Sequence, residues 1–315
     1  MSTLSKFPLF KLPWLAIKGV ISNMDFGTLL YLSFSSKSIY RFIQSLRITV
    51  KVFEVFFDEF DTRVLFSFAK WYGIGEWSFK ETEPGIKYLT QLFICPLPKI
   101  YIFPDDMKKP ILPSLVGFGD YCEDMSFIGK EEIENEELYM LLNKYTIKEE
   151  INFDIPLKKD FASDISLWKH PNRMFILNAH WVTDLMLFDL KCRSIMLGEC
   201  KQLKAIDCRL FVDRWMSSND LNFHFLELLW SSDYPEGLNY DFFGGLGLEK
   251  FDPKSRSYAY CHHEGYAIDV SMGRDFKRKD GLLATITLNH QCFIFCVWHE
   301  RFPSLEGREV VHPTD

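Results

Sequence analysis

Cys261, His262, His263 and Glu264 stand in a row in the run CHHEG, which brings together the side-chain types that a zinc site or a cysteine–histidine nucleophile would use. Adjacent residues of a strand point to opposite faces, so the four cannot converge on one ion. A metal there would need ligands from elsewhere, and no spacing marks any. Cys192, Cys200 and Cys208 are evenly spaced, seven residues between neighbours. Zinc ligands more often come in pairs about two to four residues apart, and this spacing instead fits three neighbouring strands carrying small buried thiols. Cys292 and Cys296 share one face of an apolar strand, about 13 Å apart by strand rise, too far for a disulfide. FFGGLG, residues 242–247, is not a dinucleotide fingerprint, and no phosphate-loop lysine comes after it. Neither G-x-S-x-G nor H-E-x-x-H occurs. His180 and Asp184 could form a dyad on one helix face, but the residues around them read as the start of a strand. The expectation is a chain without catalytic residues, metal or cofactor, with a metal-dependent hydrolase built on Cys261, His262 and His263 as an alternative.

The elements that would position these groups fall into three parts. The N-terminal part is residues 1–48. Residues 49–175 form a linking mixed β/α region, with VKVFEVFF (50–57) as a strand. An acidic helix near 131–146 keeps Ile133, Leu138, Leu141, Leu142 and Tyr145 on one face. Residues 176–303 carry many short elements. The patterns of 183–190, 193–198 and 204–211 read as strands, 217–230 as a helix with a serine cap, and 237–245 as a strand. YAIDVSM, RDFKRK, LLATITL and CFIFCVW are four further strands. Asp280-Gly281 is the hairpin signal between two of them, the charged RDFKRK suits a sheet edge, and the apolar CFIFCVW suits a central strand covered on both faces. The class is α+β, a three-helix N-terminal module followed by a larger mixed β/α domain with short strands. The net charge of −7 argues against a phosphate-binding nucleic-acid surface, no stretch is apolar enough to span a membrane, and eight cysteines in 315 residues do not make a disulfide scaffold. The expected setting is intracellular, cytoplasmic and/or nuclear.

The stretch FPLFKLPWLAIKGVISNMD (7–25) is interrupted by Lys11, Pro13 and Lys18, which removes it from the signal-peptide pattern. Pro13 suits a first helical turn, and Trp14, Ile17, Val20, Ile21 and Met24 recur at helical spacing. Asp25 is an N-cap for a second helix containing Leu29 and Leu30, and Ser35 or Ser36 for a third, in which Ile39, Phe42, Ile43 and Leu46 repeat at i, i+3, i+4 and i+7. Three short helices bury too little surface to stand alone, so they should lean on a partner or on the next domain.

Residues 7–47 resemble an F-box. The matching features are Leu12-Pro13 at the opening, the Val20-Ile21 pair, Met24, Leu29, Leu32-Ser33, and Ser36-Lys37 before the last helix. Residues 187–230 are similar to the type 2 F-box-associated domain of large nematode F-box families, where a strand pair leads to a helix. Asp220-Leu221-Asn222, Phe225-Leu226 and Trp230 stand in the family's order, with Ser217-Ser218 in place of its usual Leu-Thr. Residues 265–298 resemble the family's ending. The resemblance implies a substrate-receptor subunit of a Skp–cullin–F-box ubiquitin ligase. Leu12, Pro13, Ile17, Val20, Ile21 and Met24 would dock the Skp-type adaptor and through it a cullin, Trp14, Phe42, Ile43 and Leu46 would form module core, and the C-terminal domain would hold an unknown target protein. The mechanism would be proximity, by effective concentration. A target-binding module no longer coupled to a ligase is the other alternative.

Overall fold

The structure is a computed structural model that describes residues 12–21, 23–57, 62–68, 74–79, 82–106, 119–158, 161, 171–231, 234–263 and 265–313. The opening residues 7–11, Glu264 and nearly all of 159–170 lie outside the described residues. The chain is mixed α+β and divides into two compact units, Met1–Glu123 and Asp124–Asp315.

In the first unit three short helices come first: α1 (Trp14–Ile21), α2 (Phe26–Ser35) and α3 (Lys37–Ser45). Their ends are set by the side chains the sequence offers. The Asp25 carboxylate accepts from Thr28 N at 2.8 Å and from Thr28 Oγ1 at 2.7 Å, and those bonds hold its pKa below the usual value. Ser36 Oγ accepts from Ile39 N at 3.2 Å. The buried stripes are Ile17 and Ile21 on α1, Phe26, Leu29 and Leu30 on α2, and Ile43 on α3. Trp14 meets Phe42 edge to face at 5.1 Å, tying α1 to α3.

The helices pack against the strands and the helix of the same unit. β1 (Val50–Phe57) pairs antiparallel with β2 (Thr62–Phe68), which pairs with β3 (Ile74–Phe79). α4 (Thr82–Leu92) comes next, and β4 (Lys99–Ile102) returns parallel to β1. A register shift between Val50 and Val52 explains why the apolar residues of β1 change face along the strand. Phe26 of α2 stacks on Phe66 of β2 at 5.2 Å. Tyr88 of α4 donates its hydroxyl to Ser33 Oγ at 2.7 Å and stacks on Phe34 at 4.8 Å.

The second unit is organised around a sheet, which takes in β5 from Asp124 onward. Its strands are β5 (Tyr121–Ile128), β6 (Thr146–Asp154), β7 (Arg173–Ile176), β8 (Ser194–Leu197), β9 (Phe225–Leu229), β10 (Glu249–Lys250), β13 (Arg274–Lys277), β14 (Leu283–Leu288) and β15 (Cys292–Val297), in the order β10-β13-β14-β15-β9-β8-β7-β6-β5. β6 to β9 are parallel neighbours, a pairing that requires crossovers. α5 (Asn135–Lys144) precedes β6, α6 (Asp184–Asp189) links β7 to β8, and α7 (Ala205–Ser217) links β8 to β9. On α5 the acidic residues face out and Leu138, Leu141 and Leu142 face in, with Ile133 and Tyr145 also buried. A small second sheet, β11 (Ala259–His263), β12 (Tyr266–Asp269) and β16 (Glu309–Val311), completes the unit.

β15 is buried at every residue and sits between β9 and β14. Cys292, Ile294 and Cys296 join a cluster with Tyr260, Ile268 and Val270 of the small-sheet region. Phe295 packs the other way, 5.2 Å from Trp215 of α7 and 5.6 Å from Phe223. The Asp280-Gly281 hairpin is present between β13 and β14, with Gly281 at φ +86°.

Five sequence expectations are corrected. Residues 183–190 and 204–211, read as strands, are the helices α6 and α7. Thr183 Oγ1 caps α6 through Met186 N, and the Asp207 carboxylate accepts from Lys204 N at the start of α7. α7 buries Ala205, Cys208, Val212 and Trp215, a helical period that continues past residue 211. Residues 217–230, read as a helix, form the end of α7, a turn in which Asp220 Oδ1 accepts from Asn222 N, and then strand β9. Residues 240–243, read as strand, form a short 3-10 turn capped by Asn239. The charged run RDFKRK, read as an edge strand, contains β13, which lies one strand in from the edge beneath the two-residue β10, and its Asp275 and Arg278 are buried.

Candidate docking face of the N-terminal helices

The six residues expected to meet an adaptor separate into two sets. Ile21 is fully buried and Ile17 nearly so, packed inside the first unit. Leu12 and Met24 are half-buried, Pro13 is exposed, and Val20 is 40% exposed. Residues that spacing assigns to module core, or passes over, reach the surface instead: Trp14 is 51% exposed, Leu15 78%, Tyr31 72% and Phe34 56%. Phe42 and Leu46 are half-buried and Ile43 is fully buried. α1 is short, and a helix turns about 100° per residue. Burying Ile17 and Ile21 therefore fixes which way Leu15 and Val20 point, and that is outward. Leu15 carries no sequence signal of its own, because its exposure depends only on which face of α1 the fold buries.

The candidate chemical groups elsewhere are dispersed. Cys261 is half-buried, with its thiol pushed up by burial. The His262 ring packs on Phe225 at 4.8 Å. No cluster of three or more His, Cys, Asp or Glu side chains that could hold a metal occurs among the described residues. Cys192 and Cys200 flank β8 in loops and Cys208 lies on α7, so the three do not sit on neighbouring strands. All three are buried, and the thiols of Cys192 and Cys200 are pushed up to about 12 by desolvation. His180 and Asp184 share no hydrogen bond among the described residues, and His180 Nε2 is buried without a partner. Sequence reasoning missed one pair: the rings of His224 and His299 stack at 4.1 Å, and Arg193 Nη2 lies 3.0 Å from His224 Nε2. Burial, then the neighbouring His299 and Arg193, push His224 down to about 4, so this imidazole is neutral near pH 7 and accepts from the guanidinium. None of these groups forms a nucleophile–base pair.

No family model and no solved structure matches the chain. Among curated proteins it is 24% identical over 196 residues to "Uncharacterized protein F59B2.9" of Caenorhabditis elegans, covering 60% of this chain and 44% of that one. It is 27% identical over 147 residues to "Uncharacterized protein F59B2.8" of the same organism, covering 44% of this chain and 33% of that one. The chain thus spans less than half the length of these curated relatives. No helix among the described residues is long and apolar enough to cross a membrane.

Proposed function

We propose that the chain is a substrate-receptor subunit of a Skp–cullin–F-box ubiquitin ligase, with the N-terminal helices docking a Skp-type adaptor and the later part of the chain holding a target protein. The observation that carries this reading is the exposure of Trp14, Leu15, Val20, Tyr31 and Phe34 on a module of three short helices. Several large apolar side chains left exposed on so small a module favour a protein-binding role, and covering Leu15 alone is worth about 1.5–2 kcal/mol. The F-box-like order of Leu12-Pro13, Val20-Ile21 and Met24 supplies the class of partner. Ile17 and Ile21 then serve as the packed floor of the face, and Leu12, Pro13 and Val20 as part of its surface. No residue of the chain makes or breaks a bond in this mechanism. It raises the effective concentration of target beside a ubiquitin-carrying enzyme.

The test is co-purification of the full chain with a Skp-type adaptor, before and after Leu15→Asp together with Val20→Asp. Both side chains face outward, so the variant should keep its circular dichroism spectrum and melting temperature while adaptor binding falls at least about tenfold. Retention of adaptor by the folded variant, or no adaptor binding by the wild type, would sink the proposal.

A further inference from the structure

A recess of about 390 Å³ opens at the C-terminal end of α7 in the second unit. Phe188, Phe211, Trp215 and Phe223 form apolar walls, and Lys191 and Arg214 stand at its mouth. Both cations are exposed, and neither has an ion pair or hydrogen bond among the described residues. The Arg214 guanidinium lies 5.0 Å over the Phe188 ring. Stacking of this kind holds the fork flat and leaves its N–H donors free for a planar carboxylate. The acidic group on the lining, Asp220, is engaged by Asn222 N at 2.7 Å. In a chain of net charge −7, two cations against the one carboxylate of Asp220 leave this lining net positive. The Trp215 ring on the same lining lies under the Arg278 guanidinium at 4.6 Å, which fixes that wall in place.

The surface leading to the recess is also apolar. Ile206 and Leu210 are exposed on α7, and with Arg214 they fall at i, i+4 and i+8, one side of the helix. From Ile206 to Arg214 is about 12 Å along the helix, the span of about four extended residues. We propose that this stripe and recess dock a short extended peptide segment of acidic character. Its aliphatic or aromatic side chains would lie against Ile206, Leu210 and the recess walls, and its carboxylate would meet Arg214 and Lys191. Charge complementarity selects the peptide's sign, and the apolar walls select its side chains. As a statement about targets this rests on the receptor reading, but as a binding site it stands alone.

The test is fluorescence anisotropy on the full chain with a labelled eight-residue peptide alternating aspartate with leucine and phenylalanine. The same peptide with lysine in place of aspartate is the comparison. The acidic peptide should bind at least tenfold more tightly than the basic one, and weaken as salt rises. Lys191→Glu with Arg214→Glu, two exposed positions, should reverse that preference without moving the melting temperature. Equal binding of both peptides, or an unchanged preference in the double variant, overturns the proposal. So does either of two other occupants: a self-associated species in sedimentation that the double variant abolishes, or decanoate binding that the variant abolishes while the peptide fails to bind. The assay contains no adaptor, so its failure leaves adaptor binding untouched, and failure of the adaptor experiment leaves this site untouched.

Discussion

Removing the carboxylate of Asp275 should unfold the second unit more effectively than most core truncations. Arg256 is fully buried, and its Nε lies 2.8 and 2.9 Å from the two Asp275 oxygens. Its Nη1 donates to Ser257 O and its Nη2 to Val270 O, and the guanidinium lies between the rings of Phe251 and Trp298 at 4.5 and 5.0 Å. Thr285 Oγ1 donates to Asp275 at 2.6 Å and itself accepts from Trp298 Nε1 at 2.8 Å. In Asp275→Ala the guanidinium keeps its carbonyl partners but loses its counter-ion, and the Thr285 hydroxyl loses its acceptor. Breaking one side of such a pair costs about 3–5 kcal/mol, because a charge stays buried without compensation. With a urea slope of about 2–3 kcal/mol/M, the unfolding midpoint should fall by more than about 1 M. Replacing both partners, Arg256→Met with Asp275→Leu, should cost less than the sum of the two single changes, since no lone charge remains. Urea titrations of the wild type, the two single variants and the double variant measure the cycle. A loss under about 1 kcal/mol for Asp275→Ala, or strict additivity in the cycle, would refute the reasoning.

Two further outcomes concern the second unit. Glu227 on β9 is buried, and desolvation raises its carboxyl from 4.5 to about 7. A raised folded value makes the protonated form the stabilising one, so stability should fall as pH rises from about 4.5 to 7 and level off above that, by about 3 kcal/mol at most. Glu227→Gln should match the wild type near pH 4.5 and exceed it near pH 8, which denaturant melts at both pH values check, and a pH-independent difference would contradict the assignment. Gly198 sits where an added Cβ would lie 2.4 Å from Leu177 O. Its own N–H donates to Ile176 O, and its carbonyl accepts from Ala179 N. Gly198→Ala must move backbone between β7 and β8 and should cost about 1–3 kcal/mol, seen as a melting temperature lowered by roughly 3–10 °C.

Where the local signal is strong, the sequence is legible. Asp25 and Ser36 cap α2 and α3 as their residue types require. The acidic helix buries the face its leucines mark, and Asp280-Gly281 turns the hairpin it announces. Signals fail where short apolar runs fit both periods. KAIDCRLF contains enough alternation to read as a strand, and only Val212 and Trp215 beyond it reveal the helical stripe. FLELL reads as part of a helix because a strand covered on both faces shows no alternation. RDFKRK reads by charge as an edge, but Asp275 turns inward to a guanidinium 19 residues away in sequence. No local pattern encodes that pairing.

By itself the sequence determined that the chain opens on capped short helices, mixes α and β, contains the 280–281 hairpin and places CFIFCVW at a centre. Each of these depends on backbone preference or apolar periodicity within about a dozen residues. The tertiary structure decided which side chains remain outside. Ile21 went into the floor of the helical module while Leu15 and Val20 faced out. In the second unit, α7 buried Trp215 and left Ile206, Leu210 and Arg214 on its outer side. A helix can bury only one stripe, and the partners that choose the stripe come from distant parts of the chain. The surface offered to another protein is therefore a property of the packed chain and not of the segment that carries it.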